Sequence, residues 1–289
     1  QTSSNIETIG QKHSMSLKTK FAFAAKTDTG RVRDHNEDAI ASNQDIAMFV
    51  LADGMGGYNA GEVASGIAVK TVYDLTKEAC NREKRYERHA DSGQMRQTTV
   101  LRDAISRANK IIYQTAHSHE GCHGMGTTIV AGMFCDNRLS IAHVGDSRLY
   151  RLRNNNLERI TLDHSLLQEL LDRGFYSRQE AERSTNKNYV TRALGLNMTV
   201  AVEVQEIQVE PGDIFLLCSD GLSDMVDDEE IHLTISTFSA SVETIAEQLV
   251  KLSNDHGGKD NISVMLVQVL EPFPAETGLL SMLKKLFRR

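Results

Sequence analysis

Four short carboxylate clusters hold the residue types able to do chemistry in this chain: Arg33-Asp34-His35-Asn36-Glu37-Asp38, Asp53-Gly54-Met55-Gly56-Gly57, Ser219-Asp220-Gly221 and Lys259-Asp260-Asn261. An array of acids without matching cations asks for metal ions. Hard divalent cations such as Mg²⁺ and Mn²⁺ take carboxylate, carbonyl and water oxygens, whereas zinc sites lean on His and Cys. The ten histidines show no H-E-x-x-H or related spacing, which argues against a zinc hydrolase. Oxygen-rich sites with two metals commonly run phosphoryl transfer, since the ions polarise phosphoryl oxygens and lower the pKa of a bridging water. Arg33 adds a guanidinium able to fork onto two phosphate oxygens. Taken singly, each feature has a plainer reading, because Asp-Gly is common in turns and a lone Arg is usually solvated. Repetition is what favours a site.

The elements that must position these acids can be read from hydrophobic periodicity. Phe21–Ala25 and Ile46–Ala52 read as strands, the second apolar enough to be buried on both faces and ended by Asp53. Val63, Ile67, Val69, Val72 and Leu75 give Ala60–Ala79 a helical spacing, and Val100–His117 is a second helix, with Cys80–Thr99 an exposed connection between them. Gly126–Phe134, Leu139–Val144 and Arg148–Leu152 read as strands, with Gly145-Asp146-Ser147 a turn and Asn154-Asn155-Asn156 a hairpin loop. A short helix follows over Leu166–Arg173, then strands Val200–Val209 and Ile214–Cys218 split by Glu210-Pro211-Gly212-Asp213, a helix over Val242–Leu252 and a strand over Ile262–Val269. Three of the acid clusters therefore fall at strand ends. Strands in hairpin-sized pairs with helices in separate blocks favour an α+β sandwich over a doubly wound parallel sheet.

The 289 residues are 40% hydrophobic and 25% charged, enough to bury a sizeable core. A net charge of -7 argues against bulk nucleic-acid binding, which needs a basic face. Cys80, Cys122, Cys135 and Cys218 have no C-x-x-C spacing, and the last two lie in apolar runs, as buried thiols in a reducing compartment do. No apolar stretch approaches the roughly 18 residues of a membrane span, and no signal-peptide pattern opens the chain. The expectation is a cytoplasmic monomer.

Read in order, the blocks resemble the metal-dependent serine/threonine protein phosphatases, the PPM or type-2C family, most closely its compact bacterial members. The resemblance runs through Arg33-x-x-Asn36-Glu37-Asp38-Ala39, Leu51-Ala52-Asp53-Gly54-Met55-Gly56-Gly57, Ala60-Gly61-Glu62-x-Ala64-Ser65, Gly126-Thr127-Thr128, Val144-Gly145-Asp146-Ser147-Arg148, Asp163-His164-Ser165, Arg192-Ala193-Leu194-Gly195, Leu217-Cys218-Ser219-Asp220-Gly221-Leu222 and Asp260-Asn261-Ile262-Ser263. It covers about Lys18 to Val269. Any one block is weak, and together in this order they are very specific.

The resemblance implies a four-layer αββα sandwich, two antiparallel sheets flanked by helices, with residues 18–271 as the phosphatase domain. It implies two Mn²⁺ or Mg²⁺ ions in a cleft at one end, with Asp53 bridging them and the carbonyl of Gly54 contributing to one. Asp220 and Asp260 would complete the ligands of one ion, and Glu37 and Asp38 would bind the other directly or through water. Asp146, with Asp220, matches the position at which some members hold a weaker third metal, and Arg33 matches the phosphate-binding arginine. The implied reaction is hydrolysis of phosphoserine and phosphothreonine in proteins by a metal-bridging hydroxide, without a phosphoenzyme, opposing a Ser/Thr kinase. Ser147 and Ser219 are then structural. Hydrolysis of small phosphoesters is the alternative activity, and an inactive phosphoprotein-binding scaffold the alternative role.

Two positions depart from the family pattern. Met55 stands where eukaryotic relatives often have a histidine proposed to protonate the leaving alkoxide, so the acid would be a metal-bound water or a residue the sequence does not identify. Tyr58 stands where bacterial relatives often have histidine. The segment from Phe175 to Asn188 corresponds to a flap beside the cleft, with Arg178, Arg183 and Lys187 available to steer substrates. His164 reads as part of a helix cap before Leu166. Residues 1–17 form a polar extension, and residues 272–289 a separate tail. In that tail, Leu279, Leu280, Met282, Leu283, Leu286 and Phe287 oppose Lys284, Lys285, Arg288 and Arg289 at helical spacing, which suits a membrane surface, a partner or the chain's own domain.

Overall fold

The computed structural model describes residues 17–56, 60–80, 93–176 and 189–274. Outside them lie the N-terminal extension up to residue 16, Tyr58, the flap residues Arg178, Arg183 and Lys187, and the amphipathic tail from 278.

In chain order the strands are β1 (Phe21–Asp28), β2 (Asp38–Asn43), β3 (Met48–Met55), β4 (Gly126–Thr127), β5 (Ile129–Cys135), β6 (Arg138–Val144), β7 (Arg148–Arg153), β8 (Asn156–Arg159), β9 (Glu203–Gln208), β10 (Ile214–Cys218) and β11 (Ile262–Val269). The helices are α1 (Ala60–Cys80), α2 (Arg96–Ser118), α3 (Leu166–Asp172), α4 (Asp220–Ser223), α5 (Asp228–Thr237) and α6 (Val242–Asp255). One sheet runs β1-β11-β10-β7-β8 and the other β2-β3-β5-β6-β9, with β4 pairing to β3. Neighbouring strands are antiparallel throughout. The expected four-layer sandwich is what the chain forms.

Period-two alternation explains the layers. Phe49 and Leu51 of β3, Phe134 of β5, Phe215 and Leu217 of β10, and Met265 and Val267 of β11 meet between the sheets. The opposite parity faces helices: Val50 and Ala52 pack with Ala64, Ala68 and Val72 of α1 and Leu101 and Ile105 of α2. On the other flank, Leu216, Val264 and Leu266 pack with Ile231 and Ile235 of α5 and Ile245 and Leu249 of α6. Asp53 continues the parity of Phe49 and Leu51, so the acid appears where the inter-sheet core runs out.

Several local expectations are corrected. Asp53 does not end its strand, because Gly54 and Met55 keep pairing with Thr127 and Gly126. The run Gly126–Phe134 is two strands broken at Thr128, whose backbone N–H donates to Asp53 O. α2 begins at Arg96, inside the expected connection, where Glu206 of β9 accepts the backbone N–H of Met95 and the hydroxyl of Thr98. Within α1, Val63 and Leu75 face solvent, while Ala64, Ser65, Ala68 and Thr76 join Val69 and Val72 on the core side. The strand expected over Val200–Val209 is the shorter β9. β2, α4 and α5 were not expected. α5 opens with a capping box between Asp227 and Glu230.

Candidate functional site

Antiparallel pairing of β2 and β3 sets Asp38 directly opposite Asp53. The loop before β2 is held against the other sheet by Asn261, which accepts from Glu37 N and donates to the carbonyls of Thr29 and His35. Ser219 closes the same gap: its hydroxyl donates to Asp38 Oδ2 at 2.9 Å and accepts from Ser263 N. Asp38 Oδ1 is buried and has no hydrogen-bond partner among the described residues.

Gly54 is required where it stands. A Cβ there would lie 2.2 Å from Gly61 O and 2.6 Å from Glu37 O, so α1 and the Glu37 loop close on β3 only over a glycine. Gly54 N donates to Glu37 O, and Ser65 of α1 donates to that same carbonyl. On the far side of Asp53, its N–H donates to Thr128 Oγ1, its carbonyl accepts from Thr127 Oγ1, and Thr128 Oγ1 lies 2.7 Å from Ser147 Oγ. Ser219 thus holds a carboxylate and a backbone N–H, and Ser147 the hydroxyl of Thr128.

The acids press on one another. Burial is the main cause that holds Asp53 well above the usual carboxylate range, followed by the charges of Asp220, Asp38 and Asp146. Asp220, the first residue of α4, is raised likewise by burial and then by Asp146, Asp224 and Asp260. Burial lifts Asp38 to about 7 against the hydrogen bonds of Ser263 and Ser219, and lifts Asp146 to about 6. Glu37 is raised by burial and opposed by Arg33. Arg33, half-exposed at the mouth, donates from Nη2 to Asp260 Oδ2 at 2.6 Å, while Asp260 Oδ1 accepts from Asn261 N. Arg33, Glu37, Asp38, Asp53, Gly54, Asp146, Asp220 and Asp260 are thus gathered at one end of the sandwich by five separate stretches of chain.

Hard oxygen donors, mutual repulsion and an orphaned carboxylate oxygen together fit divalent cations. Sequence reasoning gave no role to Asn261 or Thr128, although both belong to the quoted blocks. It also missed a second polar cluster. Among the described residues, His143, His164 and Glu203 are the trio whose metal-ligating atoms all lie within 4.8 Å of one another. Ser165, not His164, caps α3, its hydroxyl accepting from Gln168 N. No helix among the described residues is long and apolar enough to cross a membrane.

A family model described as protein phosphatase 2C matches residues 29–266. The serine/threonine phosphatase stp of Listeria welshimeri is 40% identical over 246 residues, which are 84% of this chain and 94% of that protein. The crystal structure of the serine/threonine phosphatase Stp1 from Staphylococcus aureus superposes with a TM-score of 0.76 at 34% identity, covering 91% of this chain and all of the other. The catalytic domain of the serine/threonine protein phosphatase PstP, crystallised in complex with two manganese ions, gives a TM-score of 0.73 at 34% identity and covers 87% of this chain and 99% of that one.

Proposed function

The chain belongs to the protein phosphatase 2C family and is a bacterial-type serine/threonine phosphatase, and we propose that it hydrolyses phosphoserine and phosphothreonine in proteins with two Mn²⁺ or Mg²⁺ ions, opposing a Ser/Thr kinase. The observation that carries this reading is the meeting of Asp38, Asp53, Asp146 and Asp220, none of which forms an ion pair with an arginine or lysine among the described residues, beside an arginine at the mouth.

Bound cations supply polarisation of the phosphoryl oxygens and activation of water. Asp53 would serve both ions, Asp220 and Asp260 would help hold one, and Glu37 and Asp38 would help hold the other. Gly54 would offer its carbonyl, and Asp146 with Asp220 would hold a weaker third ion. Burial raises Asp38, Asp53, Asp146 and Asp220, so ionising them costs free energy that bound ions would return. Arg33 would receive the phosphate through charge-assisted hydrogen bonds, using guanidinium donors beyond the one on Asp260. Water is the nucleophile, so no side chain needs activation. Met55 carries no proton to give, and the leaving oxygen takes its proton from water.

Assays of phosphopeptides beside small phosphoesters and DNA, with Mn²⁺ or with EDTA, test the reading. Turnover is expected with Mn²⁺ alone and with the highest kcat/KM on phosphopeptides. Turnover that survives EDTA would remove the metal role, and a higher kcat/KM on small esters would reassign the substrate.

A further inference from the structure

The second polar cluster sits behind Asp146. His164 grips the preceding residue twice: its backbone N–H donates to Gly145 O at 3.0 Å, and its ring Nδ1 accepts from Gly145 N at 3.0 Å. Gly145 has φ +108, and a Cβ there would lie 2.6 Å from Thr128 Cβ, so the turn is pinned from both sides.

The ring has little freedom to let go. With Nδ1 accepting, Nε2 carries the proton and donates to Glu203 Oε2 at 3.0 Å. His143 stacks on the ring, centroids 4.7 Å apart and planes 10° apart, and is itself fixed by Nε2 on Leu162 O. Burial holds both imidazoles below the usual histidine range, consistent with neutral rings. Arg192 Nη1 stands 3.1 Å from His164 Nε2, so a cation held by the trio would meet a guanidinium, and Nδ1 is already taken by Gly145. Metal binding by the trio is therefore disfavoured. Holding Gly145 is what the arrangement does.

We propose that His164, oriented by Glu203 and His143, is a positioning residue that aims Asp146 into the acid cluster by clamping Gly145, and so sets the affinity of the Mn²⁺ ion that Asp146 serves. His164 O also accepts from Thr191 N, and Leu166 N donates to Tyr189 O, so the turn that carries the clamp is tied to the chain at 189–191. The inference rests on the reading of Asp146 as a metal ligand.

Calorimetric titration of Mn²⁺ into the EDTA-stripped and dialysed full chain tests it without activity as the readout. Asn can place an amide oxygen where Nδ1 lies, whereas Gln reaches towards Glu203 and leaves Gly145 N unmet. The Asp146-dependent Mn²⁺ affinity is expected within about threefold of wild type in His164→Asn and about tenfold weaker in His164→Gln, the scale of an outer-shell loss. In an Asp146→Asn background, His164→Gln should add nothing, which a general loosening of the fold would not reproduce. If His164→Gln fails to fold, Glu203→Ala, a half-exposed position, takes its place with a smaller loss in the same direction. Wild-type Mn²⁺ affinity in the Gln variant, or an equal loss in both backgrounds, would overturn the clamp alone. Undiminished Mn²⁺ binding in Asp146→Asn would overturn both the clamp and the ligand reading beneath it.

Discussion

The two ends of β10 carry aspartates with opposite fates. Asp213, just before the strand, is 1% exposed and receives both arms of Arg153, Nε to Oδ1 at 2.7 Å and Nη2 to Oδ2 at 2.6 Å, plus the backbone N–H of Glu210. Asp220, just after it, is pressed by Asp146, Asp224 and Asp260 and lies beside Asp53, and no arginine or lysine among the described residues forms an ion pair with it. A buried carboxylate is tolerable only when its charge is met. One end of the sandwich is closed by the chain's own cation, and the other, on the proposed reading, would be closed by cations from solution.

The strongest break of this contrast is Asp53→Asn, which removes the acid shared by the whole open end. Mn²⁺-dependent phosphopeptide turnover should fall by about 10³-fold or more, the scale of losing a preorganised charge-stabilising group, with a native circular dichroism spectrum. Unchanged kcat/KM would sink the two-metal assignment. The converse experiment opens the closed end. Arg153→Ala strands Asp213 and should cost about 3 kcal/mol of stability by urea unfolding, with Mn²⁺ affinity within error of wild type; a change in metal binding instead would show that the two ends are not independent.

A smaller effect follows from titration. Asp38 and Asp146 ionise at higher pH in the metal-free folded chain, about 7 and about 6, than in the unfolded one. The stability they contribute without metal is present below the unfolded carboxylate pKa and is lost as pH rises through 6 and 7. The difference in stability between Mn²⁺-loaded and EDTA-treated protein should therefore widen as pH rises from 5 to 8. A pH-independent difference in Tm would contradict the coupling of these acids. The least effect is expected far from either charge. Asp227→Ala removes the cap of α5 and should cost about 1 kcal/mol, leaving turnover untouched.

Sequence showed the acids more fully than the scaffold around them. β10 and β11 were readable to the residue because unbroken apolar runs bounded by turn residues have few other uses. β2 was invisible, since Asp38–Asn43 is partly exposed along its length and shows no alternation. α5 had a legible start in Asp227 and Glu230 but only Ile231 and Ile235 as buried apolar anchors. The first turn of α2 is polar and takes its cap from Glu206, which no local reading can supply. The clamp on Gly145 escaped for a related reason, because His143, His164 and Glu203 come together only when β6, β9 and the turn before α3 are folded.

The pairing of Asp38 with Asp53 makes the β2–β3 hairpin a length standard. Its loop, residues 44–47, ends at Ala47, fully buried with φ 50 and with its carbonyl accepting from Phe134 N. One residue gained or lost there would slide the strands by one step, and a one-step slide sends a side chain to the opposite face. One aspartate would then point towards α1 while its partner stayed in the cleft. An insertion scan would find residues 44–47 closed to a one-residue change of length.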